Sequence, residues 1–179
     1  MRAKQAMFTA LVNAHAADLY RYAFWLCRDR TLAEDLVQET FARAWRAFDS
    51  LRDHNAARQW LITTLRREHA RLFARQQPEI IEVDLDGLES VQPGYDTRVE
   101  VLVLRKALAK LPNEYLEPLL LQVLWGYSCD EIAGLLGLSG GAVMTRLSRA
   151  RRKLRNLLET GECQSVFVEK GVQLHHELP

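Results

Sequence analysis

The chain has 179 residues, of which 48% are hydrophobic and 26% are charged, and its formal net charge at pH 7 is +1. This composition is ordinary for a globular protein that contains one average domain or two small ones. The sequence has no apolar run of about 18 residues that would span a bilayer, and its start lacks the hydrophobic stretch of a signal peptide. We therefore expect a cytoplasmic protein.

The net charge of the whole chain is close to zero, but the charged residues are unevenly distributed along it. Residues 1–75 carry 13 basic and 8 acidic side chains, and residues 98–160 carry 10 and 6. Between them, residues 76–97 carry 6 acidic side chains and no basic one, while the tail 161–179 carries 3 acidic and 1 basic. Two basic blocks flanking an acidic segment indicate polyanionic partners for the blocks.

The acidic segment 76–97 is predicted to be a flexible linker, because it contains proline and glycine and has no sustained helical period. On both sides of it, apolar residues recur three and four apart, as in helices, and the short alternation at 81–85 lies inside the linker. The prediction is an all-α protein with small helical domains at 1–75 and 98–160, followed by a tail at 161–179.

In the first domain, a helix is predicted from about Leu32 to Phe48. Thr31 and Glu34 have the spacing of a capping box, which satisfies free amides at a helix start. The predicted core stripe consists of Leu32, Leu36, Val37, Phe41, Ala44, Trp45 and Phe48. The opposite face carries Glu34, Asp35, Gln38, Glu39, Arg43 and Arg46. The acidic residues lie towards the N-terminus of the helix and the basic residues towards its C-terminus, which suits the helix dipole. This pattern alone therefore indicates only a solvated face.

The next helix is predicted to start after Asn55, a plausible N-cap, and to bury Trp60, Leu61, Leu65, Leu72 and Phe73. On its other face, arginines spaced four apart lie above one another: Arg67, Arg71 and Arg75. Like charges at this spacing repel, so the stripe needs a counter-charge. Phosphate is the first candidate and an acidic patch of a partner the second, with a merely solvated face as the alternative.

A helix-turn-helix is predicted in the second domain. Ser128 and Glu131 form another capping box, which opens a short helix. Gly137 suits the left-handed residue past the end of that helix, and Ser139 suits the N-cap of the next. The combination of cap, glycine turn and second cap, in this order, is the most specific local signal in the chain.

The second helix of this motif is densely basic. Its predicted apolar stripe is Val143, Leu147, Ala150, Leu154, Leu157 and Leu158, and its bases are Arg146, Arg149, Arg151, Arg152, Lys153 and Arg155. In a helix-turn-helix the second helix enters the major groove by its N-terminal end. Residues 140–149 are therefore expected to meet base edges and the later arginines to meet phosphates. A purely structural basic face is the alternative.

Catalytic and metal-binding motifs are missing from the sequence. Cys27, Cys129 and Cys163 are far apart without a Cys-x-x-Cys motif, and His175 and His176 are adjacent in the tail, so neither disulfides nor a metal site are predicted. We read the cysteines as buried or inert thiols. No phosphate-binding glycine loop or hydrolase motif is present. We predict no enzyme, no cofactor and no small-molecule substrate.

The helix-turn-helix segment, Ala107–Leu158, resembles domain four of extracytoplasmic-function (ECF, group IV) sigma factors of the sigma-70 family. The run AEDLVQETFARAWRAF, at 33–48, looks like region 2.2 of that family, and Trp60-Leu61 with the following arginine-rich helix looks like regions 2.3 and 2.4. The likeness covers residues 7–160, with the linker where the family lacks a third sigma domain. The cobalt and nickel resistance member is one candidate within the family, and no motif distinguishes it.

The resemblance implies an alternative sigma factor with a sigma2-like and a sigma4-like domain, serving a stress or metal-resistance regulon. The implied partners are core RNA polymerase, through its β′ coiled coil and β flap, promoter DNA and an anti-sigma factor anchored in the membrane. An anti-sigma factor of this kind would hold the chain at the inner membrane face. The alternative is a helix-turn-helix activator that does not replace the sigma subunit. It needs a sensor or receiver, and residues 1–75 show no strand-helix alternation for one.

The resemblance also assigns residues to three surfaces. The core-polymerase surface would consist of Asp35, Gln38, Glu39 and Arg43. The minus-10 surface would consist of Asp49, Ser50, Asn55, Trp60, Arg66, Arg67, Arg71 and Arg75. The minus-35 surface would consist of Ser139, Gly141, Thr145, Arg146, Arg149, Arg151 and Arg152.

Three features depart from the family pattern. Arg67 stands where an asparagine is usual, which puts the detail of minus-10 melting in doubt. The segment 142–145 reads Ala-Val-Met-Thr in place of the common Thr-Val-Lys-Ser, so a lysine and a hydroxyl are missing near the DNA. Pro118 is expected to kink its helix or to shift the helix start, because proline removes one backbone hydrogen bond.

Overall fold

A computed structural model describes residues 2–50, 57–75 and 99–160. The helices are α1 (Arg2–Cys27), α2 (Arg30–Ala47), a short 3₁₀ helix (Phe48–Ser50), α3 (Ala57–Arg75), α4 (Val99–Ala109), α5 (Asn113–Trp125), α6 (Cys129–Leu136) and α7 (Gly140–Glu159). Across these described ranges there is no β-strand. The chain divides into two compact units, Met1–Val91 and Gln92–Pro179, which confirms the all-α, two-domain prediction.

In the first unit, α1, α2 and α3 all pack against one another. The largest fully buried side chains of this unit are Leu19, Tyr22, Phe24, Leu36, Leu61, Ile62 and Leu65. Burying one such side chain contributes roughly 1.5–3 kcal/mol, so this shared core holds the three helices together. Residues 22–27 at the end of α1 are buried without a break. A helix end enclosed on all sides has no amphipathic period, which is why the sequence pattern marked α2 and α3 but not α1.

The start of α2 differs from the prediction. Its N-cap is Asp29, whose Oδ1 accepts a hydrogen bond of 2.7 Å from the amide of Leu32. Thr31 lies inside the first turn, so the predicted capping box is wrong. Glu34 instead accepts a hydrogen bond of 3.0 Å from the Nε of Arg30, one turn earlier. An aspartate directly before the helix competes well for this cap, because its carboxylate also favours the positive helix end.

The predicted core stripe is right at Leu36, Ala44 and Phe48 but not at Trp45, which is 39% exposed. The Trp45 ring packs edge-on against Phe8 of α1, with ring centroids 5.0 Å apart. The Nζ of Lys4 lies 4.8 Å from the centre of the same ring. Trp45 therefore fastens the start of α1 to the end of α2 from outside the core.

The helix-turn-helix is confirmed in detail. Both arms of the capping box are present: the amide of Glu131 donates to Ser128 Oγ at 3.3 Å, and Glu131 Oε2 accepts from the amide of Ser128 at 2.8 Å. Gly137 ends α6 with φ +66°. Ser139 caps α7 by accepting a hydrogen bond of 3.2 Å from the amide of Ala142. These local bonds set the turn between the two helices.

The basic helix α7 packs against α4, α5 and α6. Val143, Leu147 and Ala150 are buried, while Leu154 and Leu157 are partly buried and pack against Val103 and Ala107 of α4. Leu158, predicted in the same stripe, is 36% exposed. With that exception, the apolar stripe predicted for α7 is the one that the fold buries.

Pro118 does not shift the start of its helix, since α5 begins at Asn113 and continues through Pro118 to Trp125. Pro118 is itself buried. The carbonyl that loses a partner belongs to Glu114, an exposed residue in the first turn of α5. This position makes the proline tolerable.

Several expectations lie outside the described residues, namely the Asn55 cap, the linker, Cys163, His175 and His176. Cys27 and Cys129 are free thiols. Cys27 is buried, and burial raises the pKa of its thiol to about 12, which makes it unreactive at neutral pH. Among the described helices, none is both long and apolar enough to cross a membrane.

Candidate polymerase and promoter surfaces

A cluster of ion pairs joins α2 to α3. Its centre is Glu68 of α3, which is only 7% exposed. The Nε of Arg43 on α2 lies 3.0 Å from Glu68 Oε1 and 2.8 Å from Glu39 Oε1. The Nη1 of Arg71 donates to Glu68 Oε1 at 3.1 Å. A single buried carboxylate is therefore shared by guanidinium groups from two helices.

This cluster lies in a groove of about 520 Å³. Its lining residues are Asp35, Leu36, Glu39, Arg43, Glu68, Arg71 and Leu72. Three carboxylates face two guanidinium groups, so the groove has an excess of negative charge. Asp35 is exposed and forms no ion pair within the described part of the chain. The groove thus offers a free carboxylate to a basic partner.

Three of the residues predicted to bind polymerase, namely Asp35, Glu39 and Arg43, come together in this groove. Gln38 is exposed on α2 but does not line it. Arg71, predicted for the minus-10 surface, lies in the groove with them. Residues from the two predicted sets, Arg43 and Arg71, therefore both pair with Glu68, which sequence reasoning missed. Its spacing of three residues from Arg71 was the available signal.

Glu68 also corrects the interpretation of the arginine stripe. Stacked arginines were expected to need a counter-charge from outside the chain, but Arg71 has one in Glu68. That expectation is therefore wrong for Arg71. Arg67 is exposed, and the side chain of Arg75 lies outside the described set.

The other described residues assigned to the minus-10 surface lie in the 3₁₀ helix and on α3. Asp49 and Ser50 belong to the 3₁₀ helix, where Asp49 is paired with Lys4 of α1. Trp60 and Arg66 are partly buried on α3. Asp49 is thus held by α1 through its ion pair with Lys4.

Some of the residues assigned to the minus-35 surface already use their side chains in hydrogen bonds within the protein. Ser139 uses its hydroxyl as the helix cap, and Thr145 donates its hydroxyl to the carbonyl of Gly141 at 2.9 Å. The Nη2 of Arg151 donates to Gln122 of α5 at 2.5 Å.

The remaining arginines of this surface are more available. Arg149 and Arg152 are exposed and make no ion pair in the ranges that the structure covers, and Arg146 is partly buried. Arg149 and Arg152 are therefore two charges of the assigned minus-35 surface that are ready for a polyanion.

The fold and these surfaces define a class: an all-α, two-domain DNA-binding transcription protein with a C-terminal helix-turn-helix. Comparison with known families makes it more specific. Sigma-70 region 2 matches residues 11–79, and Sigma-70, region 4 matches residues 102–154. The two matches correspond to the two helical units and together take up most of the chain.

Curated relatives agree with this match. ECF RNA polymerase sigma factor SigL of Mycobacterium tuberculosis is 35% identical over 162 residues, which cover 88% of this chain and 92% of SigL. EcfG of Rhodopseudomonas palustris is 33% identical and covers 82% of each chain. RNA polymerase sigma factor CnrH of Cupriavidus metallidurans is 31% identical, covering 87% of this chain and 88% of its own.

Solved structures show the same likeness. The sigma factor RpoE of Bartonella quintana, in complex with the anti-sigma factor NepR, is 29% identical with a TM-score of 0.69, covering 85% of this chain and 96% of RpoE. CnrH, in complex with the cytosolic domain of CnrY, is 30% identical with a TM-score of 0.61, covering 87% of this chain and 90% of CnrH.

The chain belongs to the ECF group of RNA polymerase sigma factors, in the sigma-70 family. It is an alternative sigma factor, which binds core RNA polymerase and directs promoter recognition and transcription initiation. An activator that leaves the sigma subunit in place is not favoured, because the first unit is sigma region 2. The identity with CnrH is no greater than that with SigL, so the comparisons identify the family and not its metal-resistance member.

Proposed function

We propose that the chain contacts the promoter through both domains. Residues 1–75 bind core polymerase and the minus-10 element, and residues 98–160 bind the minus-35 duplex. The acidic linker 76–97 joins them, and the tail 161–179 follows. The observation that carries this proposal is the division of α7 into a buried apolar stripe and an exposed face with the uncompensated charges of Arg149 and Arg152. Such a face suits a major groove lined by phosphates.

On α7, the proposed division of labour follows position along the helix. Gly141, Thr145, Arg146 and Arg149 lie in its N-terminal half, which enters the groove, and Arg151 and Arg152 lie further along, towards the phosphates. Ser139 supports this arrangement by capping the helix. The same domain also contacts the β flap of the polymerase.

The groove between α2 and α3 is proposed as the docking site for the β′ coiled coil, through Asp35, Gln38, Glu39 and Arg43. Its excess of carboxylates and the unpaired Asp35 support a basic partner helix. Glu68 is not itself a docking residue in this proposal. It holds Arg43 in place, which leaves the exposed acids at the rim to meet the partner.

The minus-10 element is proposed to bind where the 3₁₀ helix is followed by α3. A base captured from a melted strand needs a pocket and not a groove. Asp49, Ser50, Asn55, Trp60 and Arg66 would form that pocket. The arginines Arg67, Arg71 and Arg75 would hold the strand's backbone. The exposure of Arg67 supports this role, while Arg71 would have to share its charge with Glu68.

An anti-sigma factor is the proposed regulator, because related sigma factors of known structure carry such partners: RpoE is bound to the anti-sigma factor NepR, and CnrH to the cytosolic domain of CnrY. It would cover the polymerase-facing groove, including Asp35 and Glu39. We propose that the chain works in the cytoplasm and is held at the inner membrane face by a membrane-anchored partner. It would serve a stress or metal-resistance regulon.

The decisive experiment is transcription from genomic DNA by core polymerase with and without the chain, followed by sequencing of the transcript starts. Starts that share upstream and downstream elements and appear only with the chain are expected. Asp35→Arg should abolish these starts by preventing binding to core, whereas Asp18→Arg, the same charge change away from the groove, should not. Full core binding by Asp35→Arg would contradict the proposed docking site.

Co-expression with neighbouring reading frames tests the regulator. A partner that co-purifies with the wild-type chain should be lost with Asp35→Arg and kept with Asp18→Arg. A partner that binds both variants equally would contradict the proposed overlap between its surface and the polymerase-facing groove.

A further inference from the structure

The N-terminal half of α7 exposes one large apolar side chain that no role described so far explains. Met144 is 59% exposed, and the residues on either side of it in sequence differ: Val143 is fully buried and Thr145 is exposed. The other large apolar side chains in this half, Val143 and Leu147, face the core. Met144 therefore lies on the side of α7 that turns away from its own domain.

The surroundings of Met144 leave it open to a ligand. Gly141, one turn earlier on the helix, carries no side chain, and a Cβ placed there would meet no atom within 4 Å. Thr145 already donates its hydroxyl to the carbonyl of Gly141. Side chains of a helix lean towards its N-terminus, so Met144 leans towards the end that enters the groove in the proposed function. Its thioether is therefore accessible from that end.

The chemistry of methionine restricts what it can read. Its thioether has no hydrogen-bond donor and is a weak acceptor, so it cannot distinguish the donors and acceptors of base edges. The major groove carries one apolar group, the C5 methyl of thymine. A flexible, polarisable side chain packs well against a methyl group, and the contact removes both from water.

We propose that Met144 is a specificity-determining residue, which selects thymine at one position of the upstream element through the C5 methyl group. This inference rests on the proposed function of α7. It gives a physical meaning to methionine at this position: a charged side chain would bind phosphate or guanine, whereas Met144 favours an A·T pair whose thymine faces it. Arg149, one turn and a residue further on, would read a neighbouring base pair.

The test uses the full chain assembled with core polymerase and a promoter duplex defined by its transcript starts. Each thymine of the upstream element, on both strands, is replaced singly by deoxyuridine, which removes only the methyl group. We expect about a fourfold loss of holoenzyme affinity at one thymine, the effect of one buried methyl-sized group. Met144→Ala should bind the thymine and deoxyuridine duplexes equally, and Met144→Leu should retain the discrimination.

Two control variants isolate the contribution of the Met144 side chain. Met7→Ala changes an exposed methionine of α1 and should leave the deoxyuridine effect intact. Ser148→Ala changes an exposed side chain in the same half of α7 that is not assigned to the minus-35 surface, and it should also leave the effect intact. Loss of the effect in Ser148→Ala, or its persistence in Met144→Ala, would overturn the proposal.

Base substitutions in the upstream element distinguish a failure of the Met144 contact from a failure of the whole helix. If base changes in the element weaken binding but no deoxyuridine replacement does, α7 reads bases and Met144 does not read a methyl group. If no base change in the element has any effect, the proposed role of α7 fails as well. An element with no thymine on either strand would likewise overturn the role of Met144.

Discussion

The buried carboxylate of Glu68 on α3 lies 3.0 Å from the Nε of Arg43 on α2, which links the groove proposed for polymerase to the arginine helix proposed for the minus-10 strand. The same carboxylate accepts a hydrogen bond from Arg71. Both guanidinium groups are partly exposed, with side chains 38% and 60% accessible, so water screens part of the attraction.

Replacing the acid at the centre of this cluster should loosen both helices. Glu68→Gln is expected to lower the free energy of unfolding of the first unit by about 1–3 kcal/mol, because the buried negative charge that pairs with Arg43 and Arg71 is lost. Glu39→Gln, a change at a 42% exposed carboxylate, should cost under about 1 kcal/mol. Denaturant titration of the full chain measures both. Equal costs for the two variants would show that burial of Glu68 contributes nothing.

The stability of the first unit should depend on the protonation of His15. Burial, and next the charge of Arg58, lower the pKa of His15 below 6.5. The unfolded chain therefore binds a proton at His15 more readily than the folded chain does. The contribution of neutral His15 to the stability of the fold is present above pH 6.5 and is lost as the pH falls below that value. His15→Gln should show a smaller loss of stability than wild type between about pH 7 and 5.5. Identical pH profiles would contradict the prediction.

The capping box of α6 should account for a measurable part of the stability of the helix-turn-helix. Ser128→Ala removes the acceptor of the Glu131 amide and should destabilise the second unit by about 1 kcal/mol. Ser148→Ala, an exposed serine inside α7, should change stability by less than about 0.5 kcal/mol. Thermal unfolding followed by circular dichroism compares them, and a silent Ser128→Ala would mean that the cap is replaced by water.

The turn between α1 and α2 contains a strained residue. Arg28 has φ +56°, in the left-handed region that favours glycine. Arg28→Gly should therefore be more stable than Arg28→Ala by about 1 kcal/mol, since both lose the same side-chain contacts and differ chiefly in backbone strain. Chemical denaturation of the pair gives the difference directly. A more stable alanine variant would show that the turn rearranges.

The free arginines of α7 should differ in what they contribute to promoter binding. Arg152→Ala should weaken holoenzyme binding evenly across upstream sequences and reduce the salt dependence by about one phosphate contact. Arg149→Ala should relax preference at one base pair, at a cost of about 1–3 kcal/mol. Affinities over a salt series on a set of single-base variants separate the two effects. The same pattern for both residues would refute the division.

Local features of the second unit could be predicted from the sequence, because they depend on near neighbours in the chain. The caps at Ser128 and Ser139 and the turn at Gly137 involve residues only a few positions apart, and the structure has each one in place. The error at Thr31 has the same origin: two capping residues lay two positions apart, and the choice between Asp29 and Thr31 depended on where α1 ends.

By itself, the sequence determined the helical periods, the basic second helix of the helix-turn-helix and the separation into two units, because each depends on residues close together in the chain. Only the tertiary structure decided which charges are neutralised and which are free. Glu68 meets Arg43 across two helices, and Arg151 meets Gln122 of α5, so both pairs depend on packing. Arg149 and Met144 are exposed for the same reason, since the helices that the structure describes pack on the opposite side of α7, against Val143 and Leu147.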